Sequence, residues 1–368
     1  MKRLNLRQTG LTLAAPVLAI LFALIVTSLV LLVAGDPVGK VWSTIFSEPK
    51  PRTLVNIVNS GSVLYLSALA AAVGFKMNLF NIGVDGQYRI AAFVAAWVAG
   101  EAWLPGFLNV LLAVIVAMLV GAFWAGIAGL LRVGRGVSEV ISTIMLNSIA
   151  TYLVAWMLRK VAVQGSNNIS TKPIPESSRL DGFALIPGAP NHIYTLSLLA
   201  VIAGFFYWAL LNRTVFGFSL RATGQSETAA VASGINVKRM ILAAMLISGA
   251  IAGLIGMPLL FGSSYSYGVT FQPGLGFAGI AVALLGRNHP VGIAFGALLF
   301  AFLNEQANPL QIQAGVSSEI VNIIQGVIVL SVVVAYEVVN RVNNAAEQRR
   351  VAAELDTLRG AKTPEAVA

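Results

Sequence analysis

The 368-residue chain contains no cysteine and only two histidines, His192 and His289. Without cysteine there is no disulfide framework, no thiol nucleophile and no thiolate metal site. Two isolated histidines and the absence of H-E-x-x-H leave no basis for an intramembrane enzyme built on a metal or a Ser–His relay. Charge is scarce too, at 11% of residues against about 25% in a soluble globular protein. The 15 acidic residues nearly all fall between apolar segments or at their ends. An ion-coupled secondary transporter would need acids deep in the bilayer, and Asp85 alone sits in an interrupted segment. No filter-like repeat suggests a channel. G-x-x-x-x-G-K-[ST] is also missing, so the chain has no P-loop for ATP.

What is present is apolar residue: 57% of the chain, with a mean hydropathy of +0.81. Apolar segments fall near 11–34, 54–75, 88–104, 107–131, 138–158, 193–211, 240–261, 274–286, 291–303 and 320–340. The expected fold is therefore all-α, a polytopic membrane protein of about ten spans. The run 11–34 is too long for the roughly 7–15-residue core of a signal peptide and reads as a first span. With an even number of spans and an inside N-terminus, 17 of the 24 basic residues fall on inside segments. That bias places both termini in the cytoplasm. It also gives the net charge of +9 a membrane explanation, with no call for nucleic acid as a partner. Residues 1–340 are expected to form the transmembrane domain and 341–368 a charged cytoplasmic tail.

Two segments are short. GLGFAGIAVALLG (274–286) and VGIAFGALLFAFL (291–303) have 13 residues each, about 20 Å of helix against a hydrocarbon core of about 30 Å. They are either tilted, extended spans or a hairpin that enters and returns.

Polar residues interrupt the apolar pattern in NLFNIGVDGQ (78–87). Gly83 and Gly86 permit unusual backbone, Asn78, Asn81 and Gln87 can bond freed backbone groups, and Asp85 has Arg89 one turn onward as its nearest partner. The alternative is a cytoplasmic connection in which Asp85 caps the next helix. A similar pattern recurs in YGVTFQPGLGFAGIAVALLG (267–286). Phe80, Gly83, Ile90 and Ala91 correspond to Phe271, Gly274, Ile280 and Ala281, one residue out of register, as in two weakly repeated halves. Paired interruptions of this kind point to a transporter's substrate route. Phe80, Asn81, Gly83, Asp85, Gln87, Asn147, Phe271 and Gln272 are the candidate pathway residues. Each also has a plainer reading as helix packing or break support; for Asn147 that is an interhelical hydrogen bond. In the loop RTVFGFSLRATGQSETAAVASGINVKRM, Ser226 is placed to start a short helix and Gly234 to end it. So short a helix needs something to pack against.

FNIGVDGQ, RGVSEVISTIMLN, LRATGQSETAAVASGI and GFAGIAVALLGRNHPVG together resemble the permease subunits of bacterial ABC importers of the sugar/branched-chain amino acid type. Within that group they are most similar to purine nucleoside uptake permeases. The resemblance covers roughly residues 55–340. It implies an inner-membrane importer subunit, nucleoside as cargo and ribose-like sugar as the alternative. It also implies ATP used by separate ATP-binding subunits, a second permease chain, and an extracytoplasmic lipoprotein that binds the substrate. Arg221, Gly224, Glu227, Ala229, Ala230 and Gly234 match the loop that engages the ATPase. Asp85 stands where the family has Glu.

Overall fold

A computed structural model describes residues 21–163, 169–269 and 271–360. The basic residues Lys2, Arg3, Arg7 and Lys362, and the first half of the expected segment 11–34, lie outside them. The regular structure of the described residues is helical, apart from two isolated bridges, Ser170 with Gly268 and Phe183 with Ile193. In chain order the helices begin with α1 (Leu21–Ala34), α2 (Val38–Ile45), α3 (Pro51–Phe75), α4 (Val84–Glu101), α5 (Phe107–Arg135) and α6 (Glu139–Val161). There follow α7 (Leu198–Arg213), α8 (Val215–Gln225), α9 (Glu227–Ala232) and α10 (Val237–Leu254). The last are the one-turn α11 (Met257–Leu259), α12 (Leu275–Leu285), α13 (Pro290–Glu305), the one-turn α14 (Ala307–Pro309) and α15 (Ile320–Gly360).

Seven helical stretches among the described residues are long and apolar enough to cross a bilayer. Two more apolar stretches are shorter, α12 and the described part of the first segment, α1. The eighteen-residue α4 carries Asp85, Arg89 and Glu101, and α12, at eleven residues, rises about 16 Å, roughly half a hydrocarbon core. The second short segment of the sequence is longer in the structure. Helical chain runs through Pro290–Ala314 with one turn residue, Gln306, between α13 and α14, so the polar Asn304, Glu305 and Gln306 that end the apolar run mark a local irregularity rather than the end of the helical stretch. Glu305 accepts a hydrogen bond from Asn56 Nδ2 at 3.0 Å, and Gln306 is buried.

The chain divides into two compact units. One is Ile45–Pro309, and the other joins the two ends, Met1–Thr44 with Leu310–Ala368. In the second, Trp42 of α2 donates to Ser28 of α1 at 3.0 Å, and α15 runs unbroken past Arg341, which pairs with Glu337 one turn back.

Within Ile45–Pro309, α3 and the Val237–Ser264 stretch are the most buried spans, each 72% inside the protein. α6 and α7 are mostly uncovered and carry exposed Tyr152, Trp156, Val201 and Phe205. A helix apolar on its outer face as well as its inner one is suited to lipid. Small residues set the closest approach, between α5 and α10. A Cβ on Gly249 would lie 2.3 Å from the Gly121 carbonyl oxygen, and one on Gly253 would lie 2.1 Å from that of Ala117. The i, i+4 spacing of Gly249 and Gly253 lets the two backbones touch, as small-xxx-small pairs do in membranes. Gly249→Val is expected to cost about 1–3 kcal/mol by overpacking, read as a lower melting midpoint of the purified protein in detergent; an unchanged midpoint would contradict this packing.

Candidate functional site: two helix breaks and a docking loop

α3 stops where Asn78 takes the left-handed region, φ 58°, and Leu79 N–H closes the end by donating to the Gly74 carbonyl at 3.0 Å. The next five residues cross irregularly to α4, and side chains satisfy several of their backbone groups. Asn81 Oδ1 accepts from Gly83 N–H at 3.0 Å and from Gln87 Nε2 at 2.9 Å, while its Nδ2 donates to Gln87 Oε1 and to Ser248 Oγ of α10. Asn147 of α6 serves the other side: its Oδ1 accepts from Gly86 N–H and its Nδ2 donates to the Ile82 carbonyl, both at 2.8 Å. Gly86 is small because Asn147 Cα would stand 2.9 Å from a Cβ there. Asn81 and Asn147 thus act on the backbone of the break, and Gln87 holds the Asn81 amide in place.

Asp85, in the first turn of α4, is buried. Arg89 Nε stands 2.8 Å from its Oδ2, with the N–H aimed off that line, so the contact is an ion pair rather than a directed hydrogen bond. Its Oδ1 accepts from Gly276 N–H at 3.3 Å. Gly276 lies in the first turn of α12, and a Cβ there would sit 2.2 Å from Asp85 N. The two interrupted segments therefore meet. Two helix N-termini converge on one carboxylate, where a negative charge is favoured. Around this point Phe271 stacks on Tyr267 at 4.7 Å, Tyr267 meets Phe93 edge-on, and Tyr88 OH donates to the Gln272 carbonyl. Phe80 packs on Phe75 and is half exposed, and the Gln272 side chain is exposed.

The loop after α7 forms two short helices. Ser226 Oγ accepts from Ala229 N–H at the start of α9, and Gly234, at φ 81°, lets its own N–H and that of Ile235 close on the Val231 and Ala230 carbonyls. Ala230 is the buried anchor of α9, while Glu227, Ala229 and Gly234 are exposed. Gly224 rests on the turn after α3, where a Cβ would lie 2.6 Å from the Lys76 carbonyl oxygen. Arg221 donates to the Leu211 carbonyl. Lys76 is held below the ordinary lysine range by partial burial, then by the nearby Arg221 and Arg287 cations.

The sequence profile of the family described as "Branched-chain amino acid transport system / permease component" matches residues 53–333. The chain belongs to this family. It is 34% identical over 89% of its length to the guanosine ABC transporter permease protein NupP of Bacillus subtilis, covering 94% of that protein. It is 32% identical to the nucleoside ABC transporter permease protein NupB of Lactococcus lactis, over 87% of this chain and 90% of that one. The glucose ABC transporter permease protein TsgB13 of Haloferax volcanii is also 32% identical, over 86% and 85%. The permease is thus a multi-pass protein of the cytoplasmic membrane and a translocation component rather than an enzyme.

Some of the permease's site residues carry no local signal in the sequence. Ser248 lies on an ordinary apolar stretch, and Tyr267 and Gly276, though inside the second interrupted segment, carry no signal that sets them apart from their neighbours. A periodicity argument could have flagged Ser248 alone, as a hydroxyl on a buried face.

Asp85→Asn leaves Arg89 without its counter-charge and is expected to destabilise the permease by about 3 kcal/mol. Arg89→Gln in the same chain should recover most of that; a double-mutant cycle of melting midpoints showing no coupling would contradict the pair. Arg221→Gln removes a cation beside Lys76 and so raises its pKa. Less free amine is then present at mildly alkaline pH, and acylation of Lys76 should slow; an unchanged rate would contradict the cluster. Because folded Lys76 binds its proton less tightly than the unfolded chain does, its contribution to stability grows as pH rises towards the ordinary lysine value.

Proposed function

We propose that this permease is one membrane half of an ATP-driven importer that carries nucleosides inward, with both termini and the α8–α9 loop on the cytoplasmic side. The observation that carries the reading is its similarity, over nearly the whole chain, to permeases named for guanosine and nucleosides. ATP is hydrolysed by partner subunits, since the sequence has no P-loop. A second permease chain completes the pathway, and an external lipoprotein supplies the substrate.

In this reading the ATPase grips the exposed side of α9 around Glu227 and Ala229, and Arg221, Gly224, Ala230 and Gly234 shape and seat the grip. Gly224 transmits the push directly to the turn after α3, from which the first break begins. A near-complete switch between outward- and inward-open states requires a preference of about 5.5 kcal/mol, which closure of an ATPase pair supplies. At the breaks, Asn81, Gly83, Asp85, Gln87 and Asn147 hold the irregular backbone. Phe80, Phe271 and Gln272 present the surface the cargo passes, aromatic faces for a base and an amide for a ribose.

The glucose permease among the relatives favours a second reading, simple-sugar transport, which shares the machinery and differs in cargo. Uptake of labelled guanosine by the reconstituted importer is expected to be abolished by vanadate and displaced by adenosine but not by ribose or glucose. Uptake indifferent to vanadate would overturn the ATP-driven mechanism, and displacement by sugar alone would move the assignment to the second reading. Gly224→Val, which forces α8 off the Lys76 turn, should lower the maximal uptake rate at least tenfold while ATPase activity continues uncoupled.

A further inference from the structure

At the end of α7 remote from α8 and α9 lies a cavity of 310 Å³, separate from the helix breaks. Asp181, Asn191, His192, Tyr194, Ser263 and Tyr265 line it. The volume sits at the lower edge of the roughly 300–1,000 Å³ typical of small-molecule sites, which suits an occupant no larger than a nucleoside or a monosaccharide.

The walls are firmly held. Phe183 and Ile193 exchange backbone hydrogen bonds at 2.8 and 3.0 Å, closing the loop that carries Asn191 and His192. Asn59 of α3 clamps it: its Nδ2 donates to the His192 carbonyl and its Oδ1 accepts from Tyr194 N–H. The Tyr194 ring lies flat against Gly262, where a Cβ would come within 2.2 Å of Cδ1. Tyr265 is a non-glycine residue at φ 50°, an unusual backbone state for an aromatic residue. Its ring is backed by the Arg179 guanidinium at 4.6 Å.

Two acceptors remain unanswered. Asn191 Nδ2 donates to Asn56 Oδ1 at 2.7 Å, and Asn56 Nδ2 in turn donates to Glu305. This chain fixes which way the Asn191 amide faces and leaves its buried Oδ1 without a donor. Buried polar atoms are nearly always partnered, so this orphan acceptor just behind the cavity wall is suited to a ligand's N–H or O–H once the Asn191 side chain turns towards the cavity. The Asp181 carboxylate is exposed and makes no ion pair among the described residues.

We propose that this cavity is a receiving site that binds one neutral nucleoside before it reaches the broken helices. Tyr194 and Tyr265 offer faces for the base, and Asp181 and Asn191 accept from its N–H groups or from ribose hydroxyls. Asp181 repels a phosphorylated nucleotide, so the site also sorts nucleosides from nucleotides. The route onward follows the chain itself. Tyr265 leads within two residues to Tyr267, which stacks on Phe271, and the next carbonyl, that of Gln272, accepts from Tyr88.

The inference rests on the nucleoside reading above, and one experiment separates the two. Guanosine and guanosine 5′-monophosphate are titrated onto the permease–ATPase assembly in nanodiscs without binding protein, alongside guanosine uptake by the complete importer. The wild type should bind guanosine and reject the monophosphate. Asp181→Lys should weaken guanosine at least tenfold and admit the monophosphate, while Asp181→Asn should weaken guanosine with a smaller gain for the monophosphate. Wild-type uptake of guanosine together with identical binding in all three proteins would overturn the receiving site and spare the function. A wild-type importer that moves no nucleoside overturns both.

Discussion

A single carboxylate holds the two irregular parts of the membrane body together. Asp85 begins α4, yet it takes the N–H of Gly276 at the start of α12 and pairs with Arg89 on its own helix. An unpaired charge at such a position would be costly. Here the two helix N-termini and the guanidinium divide the work of stabilising it. The contact ties the first turn of α4 to the first turn of the short α12. Other features serve that junction. Ser67 Oγ donates to the Leu275 carbonyl at 2.8 Å and Ser248 Oγ to that of Ala70 at 2.6 Å, so α3 is laced to both flanking helices beside the break.

Close backbone contact is the second constraint. In lipid no hydrophobic force draws helices together, and the packing of α5 on α10 instead uses Gly121, Gly249 and Gly253 to bring backbones within van der Waals reach. The same device appears where α8 meets the Lys76 turn through Gly224. In the proposed reading, a push on the α8–α9 loop would arrive at the first residue beyond α3 through backbone contact rather than through a deformable side chain. On this account a small displacement of α8 reaches the Asp85 junction with little loss.

Much of this arrangement can be read from local sequence, because its signals are local. Ser226 and Gly234 bound α9 by capping chemistry, and Asp85 finds Arg89 at helical spacing. The glycines at 83 and 86 flag the region, but not through unusual backbone as expected: Gly83 precedes α4 at φ −76° and Gly86 lies inside it, and both are small because neighbouring residues crowd them. Other features depend on distant partners. Nothing near Ser248 announces its bond to Asn81, 167 residues away. The polar Asn304-Glu305-Gln306 reads as the end of an apolar run, yet helical chain resumes after Gln306 and reaches Ala314, while Asn56, 249 residues away in sequence, answers Glu305. The cavity at Asp181 and Asn191 is invisible in sequence for the same reason: its walls come from two loops about seventy residues apart.

The central claim is that the surface at the two breaks is the cargo's path, opened to each side in turn. The absence of native cysteine makes it directly measurable. Single Phe80→Cys and Gln272→Cys permeases, assembled with their partners in proteoliposomes, would be challenged with a membrane-impermeant thiol reagent from either side, with and without ATP plus vanadate. The account predicts that labelling switches sides with nucleotide state and is slowed by guanosine. Labelling from one side only, indifferent to both nucleotide and guanosine, would contradict it.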